Sequence, residues 1–151
     1  MDAIRKAAAP CISRGVCRLL AHMGFSPMTE FRLTSKRRVD VMGLDKGGHF
    51  LIAEIKSSLA DFRADGKWTE YPAYGDLFYF AVGPEFPREV LPEGVGVMIA
   101  DAHGAEILSQ AQEAPLNAAR RKAQIQRFAF AAANRLHRLD DPGFLSLSVA
   151  G

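Results

Sequence analysis

Two apolar runs, Arg38-Val39-Asp40-Val41-Met42-Gly43-Leu44 and His49-Phe50-Leu51-Ile52-Ala53-Glu54-Ile55-Lys56, flank the tetrapeptide Asp45-Lys46-Gly47-Gly48. Both runs are strand-like and the linker is made of turn formers, so the stretch predicts a β-hairpin. Residues two apart in a strand share a face, which puts Glu54 and Lys56 together with Phe50 and Ile52. Setting Leu44 opposite Phe50 brings Met42 to Ile52, Asp40 to Glu54 and Arg38 to Lys56. This register matches apolar with apolar up to the charged end. A slip of one residue would set Asp40 against Ala53 and exchange the faces.

Two carboxylates then stand side by side at the mouth of a buried strand pair. Like charges directly opposite in a sheet are destabilising. At ~5 Å and an effective dielectric of ~20 their repulsion is roughly 3 kcal/mol. Such a pair calls for a neutralising cation. Mg²⁺ (or Mn²⁺) is the natural candidate, since Mg²⁺ takes oxygen ligands and is commonly held by one or two carboxylates plus phosphate. Lys56 beside them can orient an attacking water or steady charge building on a phosphorane. The plain alternative is a surface ion pair between Glu54 and Lys56, worth well under ~1 kcal/mol.

Outward from the hairpin, Ile4, Ala8, Ile12, Val16, Leu19, Leu20 and Met23 recur at helical spacing, predicting a first helix over residues 4–24. Pro10 either kinks that helix or marks its start. Thr29 to Leu33 reads as a short strand. Ser58 with Asp61 three residues on reads as a helix start, and a further helix is expected within residues 67–75. Leu77 to Val82 is almost wholly apolar, as in a central strand covered on both faces. Residues 83–94 read as a surface connection, Val95–Asp101 and Ala105–Leu108 as two strands, and Leu116–Leu139 as a second long helix. The expected architecture is one α/β domain spanning residues 1–151, with a central mixed sheet and two long helices.

Charge is unevenly spread. Residues 1–38 carry eight Lys/Arg against two Asp/Glu, residues 39–115 five against thirteen, and residues 116–139 six against none. An acidic middle between basic ends fits a metal site framed by phosphate-binding surface, though solvated helix faces would look the same. The apolar runs fall far short of the ~20 residues a membrane span needs. The N-terminus has no long apolar core of a secretory signal. A cytoplasmic protein with no membrane partner is expected. Cys11 and Cys17 are too few for a zinc site and read as small buried hydrophobes.

Asp40, followed by Glu54-Ile55-Lys56 at the end of the next strand, resembles the PD-(D/E)xK nuclease signature, with Val39 where that signature has Pro. Arg38-Val39-Asp40-Val41-Met42, Ala53 to Ser58, Asp65 to Tyr71, Phe78 to Val82 and Ala100 to Ile107 together resemble the MmcB-like DNA-repair family, over about residues 12–138. The resemblance implies a restriction-endonuclease-like α/β/α sandwich and a metal-dependent DNA endonuclease in bacterial DNA repair. It implies Asp40 and Glu54 as metal ligands, the Ile55 carbonyl as a third, and Lys56 as the catalytic lysine. Relatives of this fold also place an acid on the first helix. This chain has none from Arg5 through Thr29, and Glu30 is the candidate substitute.

For DNA contacts, Lys67, Tyr71 and Tyr74 would share one helix face. Lys67 would meet a phosphate and Tyr71 would stack on a base, while Trp68 and Tyr74 are read as core. Arg120, Arg121, Lys122 and Arg127 would follow a DNA backbone, or else coat a solvated helix. Phe128, Ala132 and Leu136 form core or the seam of a homodimer. The competing function is a non-catalytic DNA-binding or adaptor module that keeps the nuclease fold. Other repair proteins are plausible partners on either reading.

Overall fold

The hairpin turn is closed as its residues require. Asp45 N–H donates to the His49 carbonyl and Gly48 N–H to the Asp45 carbonyl, both at 3.1 Å. Gly48 adopts a φ of 85°, the left-handed conformation that glycine takes at no steric cost. Strands β2 (Arg38–Asp45) and β3 (Phe50–Lys56) leave this turn antiparallel. Their pairs are Leu44 with Phe50, Gly43 with Leu51, Met42 with Ile52 and Val41 with Ala53, the register that apolar matching selects.

This computed structural model describes residues 2–144, with side chains described from residue 9. Around the hairpin, a six-stranded mixed sheet runs in sequence order. It begins with β1 (Phe25–Arg32), antiparallel to β2. From β3 the chain crosses over to β4 (Leu77–Val82) and again to β5 (Gly96–Ala100), both parallel, and ends on antiparallel β6 (Ala105–Ser109). The first strand starts four residues before the expected Thr29, because it pairs with β2 back to Phe25–Asp45. Pro27 is tolerated there because β1 is an edge strand.

Helix α1 (Asp2–His22) runs through Pro10 without ending there. Its Ile12, Val16 and Leu20 pack against Val41, Leu51, Ala53, Tyr79, Ala81 and Met98 on one face of the sheet. Ile4 and Ala8, expected to extend that stripe, lie outside the described side chains. At Gly15 a Cβ would fall 2.0 Å from the Asp101 carbonyl oxygen, so only glycine lets the helix pass the β5–β6 turn so closely. Cys11 is exposed and Cys17 half-buried, correcting the expectation that both are core. They lie six apart, too far round the helix to share its buried stripe.

The other face carries aromatics. Phe62 of α2 (Leu59–Ala64) meets Phe80 edge-on at 5.6 Å, and Trp68 stacks on Phe78 at 6.0 Å. Trp68 is thus a packing residue, as expected. The single helix expected within residues 67–75 is instead two 3-10 turns, Lys67–Glu70 and Pro72–Tyr74. Pro72 lacks the N–H that would continue the first turn. Helix α3 (Ala118–Asp140) starts at Asn117, whose side chain accepts from Arg120 N–H. The chain divides into two units, Met1–Leu116 with the whole sheet and Asn117–Gly151 with α3. The α/β class, the mixed sheet and the two long helices match the sequence reading.

Asp76 staples the first unit. Its buried carboxylate (2% exposed) accepts Phe50 N–H at 2.7 Å and Leu116 N–H at 3.1 Å. Its own backbone bonds to the Phe50 carbonyl and to Ala114 N–H. Hydrogen bonds to a charged acceptor contribute about 1.5–3 kcal/mol, and orphaned buried donors add a penalty. Asp76→Ala should therefore lower urea-unfolding stability by about 3 kcal/mol, and Asp76→Asn by less. A loss under ~0.5 kcal/mol for the alanine variant would refute this role.

Candidate active site

The β2–β3 ladder stops at Val41 and Ala53. Beyond it the two acids bond across the gap. Asp40 Oδ2 accepts Ile55 N–H at 2.7 Å, and Glu54 Oε1 accepts Asp40 N–H at 2.9 Å. Each carboxylate is thus fixed by a main-chain donor of the opposite strand, and the two carboxyls lie within hydrogen-bonding reach of each other. Glu54 is 4% exposed. Burial, and next the charge of Asp40, push its pKa up to about 8. Burial also raises Asp40, against the opposing pull of the Ile55 N–H and the Lys56 charge.

Lys56, two residues on, stands on the same face as Glu54 and is itself 4% exposed. Its ammonium donates to Asp65 Oδ2 at 2.5 Å. Asp65 has no role in the sequence reading. It is delivered by α2: Ser58 Oγ caps that helix by accepting Asp61 N–H, and Asp65 closes its far end. Burial would raise Asp65, but the Lys56 hydrogen bond and the Lys67 N–H outweigh it and hold the carboxyl below its usual range. Sequence gives no warning of this pairing, because nine residues and a helix separate the partners.

A cleft of about 830 Å³ opens here, lined by Asp40, Glu54, Ile55, Lys56 and Asp65, with Arg14 and Ser13 of α1 on its far wall. Glu30 lines it from β1, exposed and at a φ of 51°, between the Thr29–Val41 and Phe31–Val39 pairs of the β1–β2 register. Among the described residues no three His, Cys, Asp or Glu side chains converge on a metal position. The donor set is therefore the Asp40–Glu54 pair and nearby main chain, with Glu30 at the rim. That set suits a hard, partly hydrated cation such as Mg²⁺, which is commonly held by one or two carboxylates. The repulsion between half-buried Asp40 and buried Glu54 is what such a cation would relieve.

Lys67 is exposed and lines an adjoining cleft with Tyr71. Tyr71 is 7% exposed, which corrects its reading as a base-stacking platform: a ring this enclosed offers no open face. Its hydroxyl is pushed up to about 12 by burial and by Glu54, Asp65 and Asp40, so it stays protonated over the acidic cluster. Arg120, Arg121, Lys122 and Arg127 all lie on α3, in the second unit. Of these, Arg120 and Lys122 are exposed and Arg121 and Arg127 half-buried. On the same helix Phe128 is buried, while Leu136 is 64% exposed.

The model of the DNA repair protein MmcB-like family matches residues 1–143. The chain belongs to that family. A protein of unknown function from Silicibacter pomeroyi is 47% identical, with 89% of this chain and 92% of that one covered at a TM-score of 0.86. A repair endonuclease from Pyrococcus abyssi is 21% identical over 56% of this chain and 41% of its own. Its TM-score of 0.38 is too low to bear on fold or function. No curated protein matches. No described helix is long and apolar enough to cross a membrane.

Glu54 makes stability depend on pH with a definite sign. Its folded pKa, about 8, lies above its usual 4.5. The folded state therefore holds this proton more tightly than the unfolded chain does. That stabilisation is complete below about pH 4.5 and is lost as pH rises through 8. At about 1.4 kcal/mol per pKa unit the ceiling is on the order of 5 kcal/mol. In EDTA, wild-type stability from urea melts should fall between pH 5 and pH 9. Glu54→Gln, which mimics the protonated acid, should lose that slope. Parallel profiles for the two proteins would show that Glu54 does not carry the effect.

Proposed function

We propose that this MmcB-like protein is a divalent-metal-dependent deoxyribonuclease that acts in bacterial DNA repair. The observation that carries the reading is the pair of half-buried Asp40 and buried Glu54, with Lys56 on the same face as Glu54, in one open cleft. Asp40, Glu54 and the Ile55 carbonyl would hold Mg²⁺ or Mn²⁺, with Glu30 available at the rim. When bound, the metal supplies Lewis-acid stabilisation of the phosphate and lowers the pKa of a coordinated water. Lys56 faces the reacting phosphate and stabilises the negative charge that develops on its oxygens as water attacks in line. Asp65 is a positioning residue that fixes the lysine ammonium. Tyr71, kept protonated, closes one side of the cluster against water.

One observation favours a second reading, a DNA-binding adaptor that keeps the fold without cleaving. Lys56 is already engaged by Asp65 at 2.5 Å, an ion pair that could serve structure alone. Cleavage assays separate the two. Purified protein with Mg²⁺ or Mn²⁺ should cut at least one of labelled duplex, flapped, branched or crosslinked DNA. Lys56→Met, which keeps the bulk of the side chain, should lower the cleavage rate by 10²-fold or more. DNA affinity should stay within about twofold, because the lysine acts mainly on the transition state. Binding without cleavage of any substrate by the wild type would make the adaptor reading the correct one.

A further inference from the structure

The turn between β1 and β2 repeats the geometry of the β2–β3 turn with a different residue at its strained position. Leu33 N–H donates to the Arg37 carbonyl at 2.8 Å and Lys36 N–H to the Leu33 carbonyl at 2.9 Å. Asp45, Gly48 and His49 make the same two bonds in the other turn. There the left-handed residue is Gly48 at φ 85°; here it is Lys36 at φ 71°. A side chain at such a φ is strained where glycine is not. The chain thus keeps a lysine at a position where glycine would fold more easily.

Lys36 is not an isolated cation. Arg38 stands directly opposite Arg32 in the β1–β2 ladder, a like-charge pair that disfavours the sheet. Lys36, Arg37, Arg38 and Lys67 line one cleft of about 330 Å³, whose acids, Asp40 and Glu30, also line the larger one. Arg37 is paired with Glu70. Lys36, Arg38 and Lys67 are exposed and, among the described residues, have no acidic side chain within ion-pair distance. Arg38 and Asp40 are two apart in β2 and share a face, so the cations lead directly to the acids.

We propose that the β1–β2 hairpin, with Lys67, is a backbone-gripping arm: Lys36, Arg38 and Lys67 bind phosphates of the DNA strand next to the one held at Asp40 and Glu54. The inference rests on the nuclease-fold reading of that site and adds which surface guides the strand into it. A phosphodiester backbone supplies the repeated, closely spaced negative charges that three cations lining one cleft beside the acids can follow. The contacts go to phosphates, so the arm positions DNA without reading sequence.

Fluorescence anisotropy with a 5′-labelled 30-mer, as duplex and as single strand, in EDTA and 50–200 mM NaCl tests the arm. The variant Lys36→Ala/Arg38→Ala/Lys67→Ala should bind at least tenfold more weakly at low salt. Its salt slope on duplex should be shallower by about 2–3, since each phosphate contact contributes about 0.9. Lys36→Gly separates binding from folding. It should melt at or above the wild-type temperature, because strain is relieved, yet bind severalfold more weakly. Wild-type-like affinity and slope in the triple variant, when the wild type binds DNA, would overturn the arm and leave the site reading intact. A wild type that binds neither DNA would overturn the site reading and the arm together.

Discussion

Past Val41 and Ala53, strands β2 and β3 are held together by side chains instead of by their ladder. Where paired strands separate inside a protein, their N–H groups still need acceptors. Asp40 and Glu54 supply them, each reaching to the opposite strand. The arrangement is structurally sound and electrostatically awkward. Removing either acid would leave a partly buried donor without its acceptor, and keeping both places two carboxyls together where water is scarce. The protein eases the conflict by holding a proton on Glu54 far above its usual range. A divalent cation in place of that proton would meet the same need, so the folding constraint and the proposed metal affinity would have one origin.

Lys56 extends the same logic. An ammonium at 4% exposure is costly to bury without a close partner. Asp65 provides one, and it reaches the lysine only because Ser58 starts α2 at the right point and the helix ends after six residues. Buried ion pairs contribute little net stability compared with apolar replacements, since desolvation offsets attraction. The Lys56–Asp65 pair is therefore a weak source of stability, and on the proposed reading it holds a positive charge beside the two acids of the cleft.

The fold was legible because hydrophobic matching specifies register strongly where both strands are buried. Leu44 with Phe50 and Met42 with Ile52 left no second solution, and Asp40 came to Glu54 with them. Legibility failed where local chemistry competes with periodicity. Lys67, Tyr71 and Tyr74 keep helical spacing, but Pro72 breaks the backbone between them. The start of β1 was hidden because Ser26 and Pro27 carry no strand signal and are recruited by the neighbour. Asp65 and Asp76 were opaque for a deeper reason. Their partners, Lys56 and the Phe50 and Leu116 amides, are set by tertiary placement, which no short-range pattern encodes. Cys11 and Cys17 show the limit of residue-type averages, since position on the helix overrides a general tendency to burial.

The rule that first drew attention to Asp40 and Glu54 applies a second time in the same sheet, with the sign reversed. Two like charges opposite each other are a cost, and β2 carries one such case toward β3 and another toward β1, at Arg32 and Arg38. The two cases lie only two residues apart along one strand. A net charge of +2 conceals this, because averaging cancels what the strand keeps separate. On the proposed reading, the acids in the cleft would take a small divalent cation and the cations beside them a polyanion. A metal ion coordinated by a phosphate chain would satisfy both at once, which would make the two repulsions halves of one binding surface.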